Sequence, residues 1–222
     1  MNGATDAELH DRLAIRALVE NWAVSRDAGD WDRFATCWHE DGYMCATWCQ
    51  APWRDFIAAS VAGWEKGVSI LHFLGGHSAE LAGRRAIAQT KMTISQRAAV
   101  HGVMVDVVCT GRFYDFLEKR DGDDGAAGPR SGPAAPHGRA RWGVVLRQPI
   151  YEKDRMDPVD PAARLALDPA LLARFPEGYR HLAYLQTQIG YAVKTDMPGL
   201  KGPEVEALYA RGARWLAGGA PG

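Results

Sequence analysis

The sequence predicts an α+β barrel: a strongly curved mixed β-sheet closed on one side by N-terminal helices, with a helical C-terminal extension. Three observations carry this. Residues 14–28 show helical spacing of apolar side chains and stop at Gly29. Residues 84–100, 103–120 and 139–153 are long segments rich in Val, Ile, Thr and aromatic residues. After Asp157 the pattern returns to helix. A carboxylate at a helix end (Asp27), a histidine (His72) and an arginine in a strand (Arg147) follow one another through this frame, the order and setting of a small cone-shaped enzyme.

Each element has a local reason. In the first helix Leu13, Leu18, Val19, Trp22 and Ala23 form the apolar stripe, and Asp30 restarts the chain as an N-cap for a second, short helix. Residues 42–48 read as a first strand, and residues 51–66 as a helix with Phe56, Ile57, Val61 and Trp64 at helical spacing. From Ser78 the chain reads as extended. Residues 121–138, rich in Gly and Pro, are expected to form a mobile hairpin tip rather than a domain boundary, because the strands on either side need one another. The expected organisation is a cone domain over residues 1–156 and a helical extension over residues 157–222. In the extension Asp157-Pro, Asp160-Pro and Asp168-Pro each offer an N-cap followed by proline at the first helical position. Residues 202–216 read as an amphipathic helix with Val205, Leu208, Tyr209 and Trp215 on one side, and Gly212 falls on that side too.

Bulk properties narrow the class. A chain of 222 residues, 47% apolar and with a formal charge of −1, has the composition of a soluble globular protein. It lacks the basic field expected of a nucleic-acid binder. No apolar run is long enough to span a bilayer and the N-terminus carries no signal-like segment, so a cytoplasmic protein without a membrane partner is expected. Cys37, Cys45, Cys49 and Cys109 form neither a zinc-type pair nor a disulfide framework and read as small buried residues. The spacings of His72, His77 and His101 fit no standard metal-ligand pattern, so no metal is expected.

The helix ending Ser25-Arg-Asp27-Ala-Gly-Asp-Trp31, His72 followed by Gly75-Gly76, and Arg147 after Trp142 resemble the SnoaL-like branch of the nuclear-transport-factor-2-like superfamily. That branch includes scytalone dehydratase, hexachlorocyclohexane dehydrochlorinase and the bile-acid 7-alpha-dehydratases. The resemblance covers roughly residues 8–155. It implies that Asp27 and His72 form a catalytic dyad and that Arg147 faces the same cavity. At Trp22 the sequence departs from those relatives, which carry tyrosine or lysine there. The resemblance also implies a homotrimer, with a dimer as second choice.

The same residues make chemical sense together. A neutral imidazole can take a proton near neutral pH, and a carboxylate on its other nitrogen fixes the tautomer and stabilises the imidazolium. An arginine keeps its charge and suits an enolate or departing anion. Together they describe proton abstraction followed by β-elimination, for which no cofactor is required. Arg147, set among Val144, Val145 and Leu146, has to face a polar cavity or pair with a carboxylate; His77 reads as structural. Trp22, Met44, Trp48, Phe73, Val145 and Tyr151 are the expected walls of an apolar, aromatic chamber for a small aromatic, polyketide or steroid-like substrate. The function expected is a dehydratase-type lyase. The alternatives are a retro-aldol lyase releasing formaldehyde, an aldol cyclase or an isomerase, and, from another class, a non-catalytic binding module. The strand at residues 103–117 is apolar on both faces (Val107, Cys109, Phe113 and Leu117 on one; Val108, Tyr114 and Phe116 on the other), so its outer face needs cover from helices or another subunit. The apolar segment 178–191 and the last helix are expected to pack on the cone or a neighbouring subunit and restrict access to the pocket.

Overall fold

The computed structural model describes residues 5–121 and 140–221, so the hairpin tip expected over residues 121–138 lies almost wholly outside the described residues. The elements run α1 (Asp6–Ala28), α2 (Trp31–Ala35), β1 (Trp38–Cys45), β2 (Gln50–Pro52), α3 (Trp53–Glu65), β3 (Ser69–Ala82), β4 (Arg85–Val100), β5 (Val103–Arg120), β6 (Arg141–Arg147), β7 (Ile150–Pro158), α4 (Pro169–Leu172), a 3-10 turn (Glu177–Tyr179), α5 (Arg180–Gln188) and α6 (Pro203–Leu216). The strands form one curved, unclosed mixed sheet in the order β2-β1-β6-β5-β4-β3, with β7 joined to β5. Among the described residues only β1 and β6 pair in parallel. Helices rather than further strands cover the open side, as the fold class requires.

Helix α1 begins with a reciprocal capping box between Thr5 and Glu8 and ends on Gly29 in the left-handed region at φ +70°. The Asp30 amide reaches the Ser25 carbonyl at 2.9 Å, which tightens this last turn and fixes the direction in which Asp27 leaves the helix. Ile15, Val19, Trp22 and Ala23 are its buried apolar residues, whereas Leu13 is 66% exposed, so the stripe is set by Ile15 in its place. Asp30 caps α2 by accepting from the Arg33 amide.

The strand arrangement departs from the sequence reading in three places. The first strand runs Trp38–Cys45 rather than 42–48, and a short strand, Gln50–Pro52, precedes α3 where helix is expected. Extended structure begins at Ser69, so His72 and His77 share one strand, with the β3–β4 register shifting between Leu74 and His77 around the glycine pair. The third long segment is two strands: β5 pairs with β6 through Asp115–Arg120 and with β7 through Val105–Arg112. Between Phe116 and Leu117 the register with β6 shifts and Val145 is left without a partner, a β-bulge. This extra residue changes which face each following side chain occupies.

The sheet has two apolar layers. On the inner face Ala86, Ala88, Met92, Ile94, Val107, Cys109, Phe113 and Leu117 pack with Trp22, Phe34, Phe56, Leu182 and Tyr184 from the helices. On the outer face Ile87, Tyr114, Phe116, Val145 and Leu146 pack under Val205, Leu208 and Trp215 of α6. The cover needed by the second face of β5 thus comes, over Tyr114 and Phe116, from the chain's own last helix. Gly212 is buried at this junction, and a Cβ there would overlap the Tyr114 hydroxyl. Gly212→Ala is therefore expected to lower stability by about 1–3 kcal/mol, the usual cost of overpacking, despite alanine's better helix propensity. Adding Tyr114→Phe removes the overlapping oxygen and should recover most of the loss in thermal melts.

The tail is pinned to the sheet by Asp154 of β7. Its carboxylate accepts from the Leu182 amide at 2.7 Å and pairs with His181 Nδ1 at 2.8 Å, capping the start of α5. Of the three Asp-Pro sequences only Asp168 caps a helix; Asp157 lies at the end of β7 and Asp160 accepts from the Ala162 amide in a turn. Among the described residues no helix is long and apolar enough to cross a membrane.

Candidate active site

The end of α1 and the start of β3 meet at Asp27 and His72. Asp27 Oδ1 lies 2.8 Å from His72 Nδ1, and Oδ2 accepts the His72 main-chain N–H at 2.5 Å. One carboxylate therefore fixes both the ring and the backbone that carries it. The pairing assigns the proton to Nδ1 and leaves Nε2 as an acceptor with no hydrogen-bond partner among the described residues. The Trp22 ring stands edge-on to the imidazole at 5.4 Å and Phe113 lies tilted at 5.9 Å. Burial among these rings pushes the imidazole pKa below its usual 6.5, against the raising effect of Asp27, and Arg26 and Arg147 lower it further.

His72 lines a partly open cavity together with Trp22, Met44, Trp48 and Tyr151, so four of the six expected wall residues are in place. Phe73 is not. It neighbours His72 on a strand, so its side chain leaves by the opposite face and is 62% exposed. Val145 is not either, because the bulge turns it to the outer layer beneath α6. Met44 lies on β1, and Tyr151 comes from β7.

Arg147 also stands elsewhere than expected. It does not line the cavity but is fully buried behind it, with Nε and Nη2 donating to Asp115 Oδ1 and Oδ2 at 2.6 and 2.8 Å. Its guanidinium lies 4.2 Å from the Trp22 ring centroid and 4.0 Å from that of Phe113. Of the two settings an arginine in this apolar strand allows, the carboxylate pair is the one realised. The cation on the cavity wall is Arg26, which reasoning from the sequence missed. It is 5% exposed, its Nη1 donates to the Ile70 carbonyl at 3.2 Å, and it lies 3.6 Å from Asp27 Oδ1. Burial draws its pKa down and Asp27 opposes this. Its position four residues after Trp22, on the same helix face, was the available signal.

The remaining wall comprises apolar Ala46, Phe56, Ile70, Ile94, Phe113, Pro149 and Leu182 and three polar side chains, Thr47, Gln96 and Gln186. Leu182 and Gln186 belong to α5, so the tail closes one side, and its Tyr191 ring lies tilted against Trp48 at 5.2 Å beside an adjoining crevice. The cavity is tight, about 30 Å³ on a scale where one water needs roughly 10–15 Å³. A ring-sized ligand must therefore displace side chains on entering. His77 bonds Thr90 Oγ1 at 2.7 Å and His101 bonds the Tyr184 hydroxyl at 2.7 Å, both away from this cavity. No group of three or more potential metal ligands occurs among the described residues.

Comparison with known proteins agrees with this architecture. The SnoaL-like domain family matches residues 7–123, over half of the chain. A PEP2-like protein and pea pathogenicity protein 2, both of Fusarium vanettenii, are each 36% identical to it, covering 98% of this chain and 90% of their own. Among solved structures, a putative scytalone dehydratase from Novosphingobium aromaticivorans shares the fold, with a TM-score of 0.52 at 15% identity, covering 73% of this chain and all of its own. The chain belongs to the SnoaL-like family, of nuclear-transport-factor-2-like fold.

Proposed function

We propose that this chain is a lyase that eliminates water from a small ring-bearing β-hydroxy carbonyl compound by proton abstraction. The observation that carries the reading is the double engagement of Asp27 with His72, which leaves a buried, neutral imidazole with one free nitrogen at a cavity. In the proposed step Nε2 takes the proton α to the carbonyl, and the C–H electron pair becomes the new C=C bond. The β C–O bond breaks, and the imidazolium returns its proton to the departing hydroxyl, giving water. Asp27 stabilises the imidazolium between the two transfers. Arg26, on the cavity wall, supplies positive charge for the enolate-like oxygen, the role expected earlier of Arg147. Arg147 and Asp115 act by position: they hold Trp22 and Phe113, the rings flanking His72. The proton transfers need only these side chains.

Turnover of a panel of ring-bearing β-hydroxy ketones, followed by absorbance of the conjugated product, tests the reading. Binding without turnover would favour a binding module instead. The pH dependence adds a second check. Because burial lowers the His72 pKa, the base form persists below the usual 6.5, and the acidic limb of kcat/KM is expected below that value. Stability should follow the same group. Above the unfolded pKa both states hold neutral imidazole and nothing changes. As pH falls below it the unfolded chain takes up the proton first, so the folded state loses stability until its own lower pKa is passed. An acidic limb at or above 6.5 would argue against His72 as the base.

A further inference from the structure

The polar corner of the cavity is ordered as a chain of donors. The Thr47 hydroxyl donates to Gln186 Oε1 at 2.8 Å, and Gln186 Nε2 donates to Gln96 Oε1 at 3.3 Å. All three residues are at least 98% buried, and Tyr151 of β7 contacts Thr47 in the turn after β1. The direction of this chain uses the Gln96 carbonyl and leaves its Nε2 without a partner. Among the residues that line the cavity, the buried polar atoms without partners are Gln96 Nε2 and Trp22 Nε1, both N–H donors. An unmet buried donor is costly, and the cost is removed when a ligand brings an acceptor. Gln96 is also well placed. Ile70 pairs with Gln96 and His72 with Ile94 across β3 and β4, which makes Gln96 a diagonal neighbour of His72; such pairs lie roughly 7–8 Å apart, within the span of a ring-bearing molecule.

We propose that Gln96, held in this orientation by Gln186 of the C-terminal extension, is the specificity-determining donor that selects a substrate with a carbonyl oxygen. The inference rests on the reading of this cavity as a substrate site and names the residue that recognises the carbonyl of that substrate. It gives the extension a role in recognition: Gln186 turns the Gln96 amide so that N–H rather than C=O is offered.

The test uses the full chain and two isosteric probes, acetophenone and α-methylstyrene, in which C=CH2 replaces C=O. Binding is followed by NMR through the His72 and tryptophan side-chain signals. Acetophenone is expected to bind about 3- to 10-fold tighter, the worth of one neutral hydrogen bond, and it alone should shift the Gln96 side-chain NH2 resonance. Gln96→Met keeps the side-chain length, removes the donor, and should bind both probes equally. Gln96→Glu replaces the donor by an acceptor and should favour α-methylstyrene, which guards against a merely structural effect of the first variant. Gln186→Leu should weaken the preference without abolishing binding. Equal binding of the two probes by the native chain, or a preference that survives in Gln96→Met, overturns the assignment while leaving the cavity reading intact. Failure of both probes to bind overturns the two together.

Discussion

His72→Ala is expected to lower turnover by about 10²- to 10⁴-fold, the usual loss when a positioned acid–base group is removed. The variant should still fold, because the ring makes no hydrogen bond to any described residue but Asp27 and stands at the edge of the cavity. Asp27→Asn should be impaired to a similar order. It keeps the shape, but its amide can present N–H to Nδ1, favouring the tautomer that carries the proton on Nε2 and so blocks the base. The double variant should be little slower than His72→Ala alone, since the two residues act as a unit. Steady-state rates on a ring-bearing β-hydroxy ketone, with thermal melts to verify folding, decide the matter. A His72→Ala enzyme near the native rate would refute the dyad. Arg26→Leu should then show a loss in kcat rather than in KM if its charge acts chiefly in the transition state.

Much of this site is legible in the sequence, for physical reasons that differ residue by residue. Asp27 announced itself because Gly29 must end the helix and Asp30 must restart the chain, which presents the carboxylate at a defined corner. Trp22 follows from the helical periodicity of α1, and His72 from its place after Asp27 and before the Gly75-Gly76 pair, the pattern that carries the resemblance. The misplacements have separate causes. Phe73 neighbours His72 and so takes the opposite face of β3; Arg147, which the resemblance places at the cavity, meets Asp115 in a pairing that no local pattern shows; and the face taken by Val145 depends on register. A single unpaired residue at Val145 reverses the alternation, and bulges of this kind depend on how β5 divides its pairing between β6 and β7. Gln186 and Leu182 lay beyond reach for another reason. Their place in the cavity depends on a helix capped by Asp154, a contact between residues 27 and 28 positions apart, and no local pattern encodes it. The extension is legible as apolar chain that packs at the pocket and restricts access to it, but not which of its side chains form the wall.

Asp115→Ala is expected to produce the largest loss of stability of any single substitution at this site. The carboxylate and the Arg147 guanidinium are both fully buried, and they exchange two short hydrogen bonds. Removing the carboxylate leaves a cation with no counter-charge in an apolar layer, which typically costs about 3–5 kcal/mol. In a chain of this size each kcal/mol moves Tm by about 2–4 °C, so the melting point should fall by roughly 6–20 °C. The two rings stacked on the guanidinium do not replace the lost charge, because cation–π contacts contribute only about 0.5–2 kcal/mol and are already made in the native chain. Asp115→Leu combined with Arg147→Met should be far less damaging than Asp115→Ala. Both charges then leave together, and the desolvation of the pair is no longer required. If Arg147 acts only by holding Trp22 and Phe113 in place, this double variant retains a measurable fraction of activity once it folds. If it instead loses as much rate as His72→Ala while melting near the native temperature, the guanidinium acts on the reaction through more than packing, and the positioning role assigned to it is wrong.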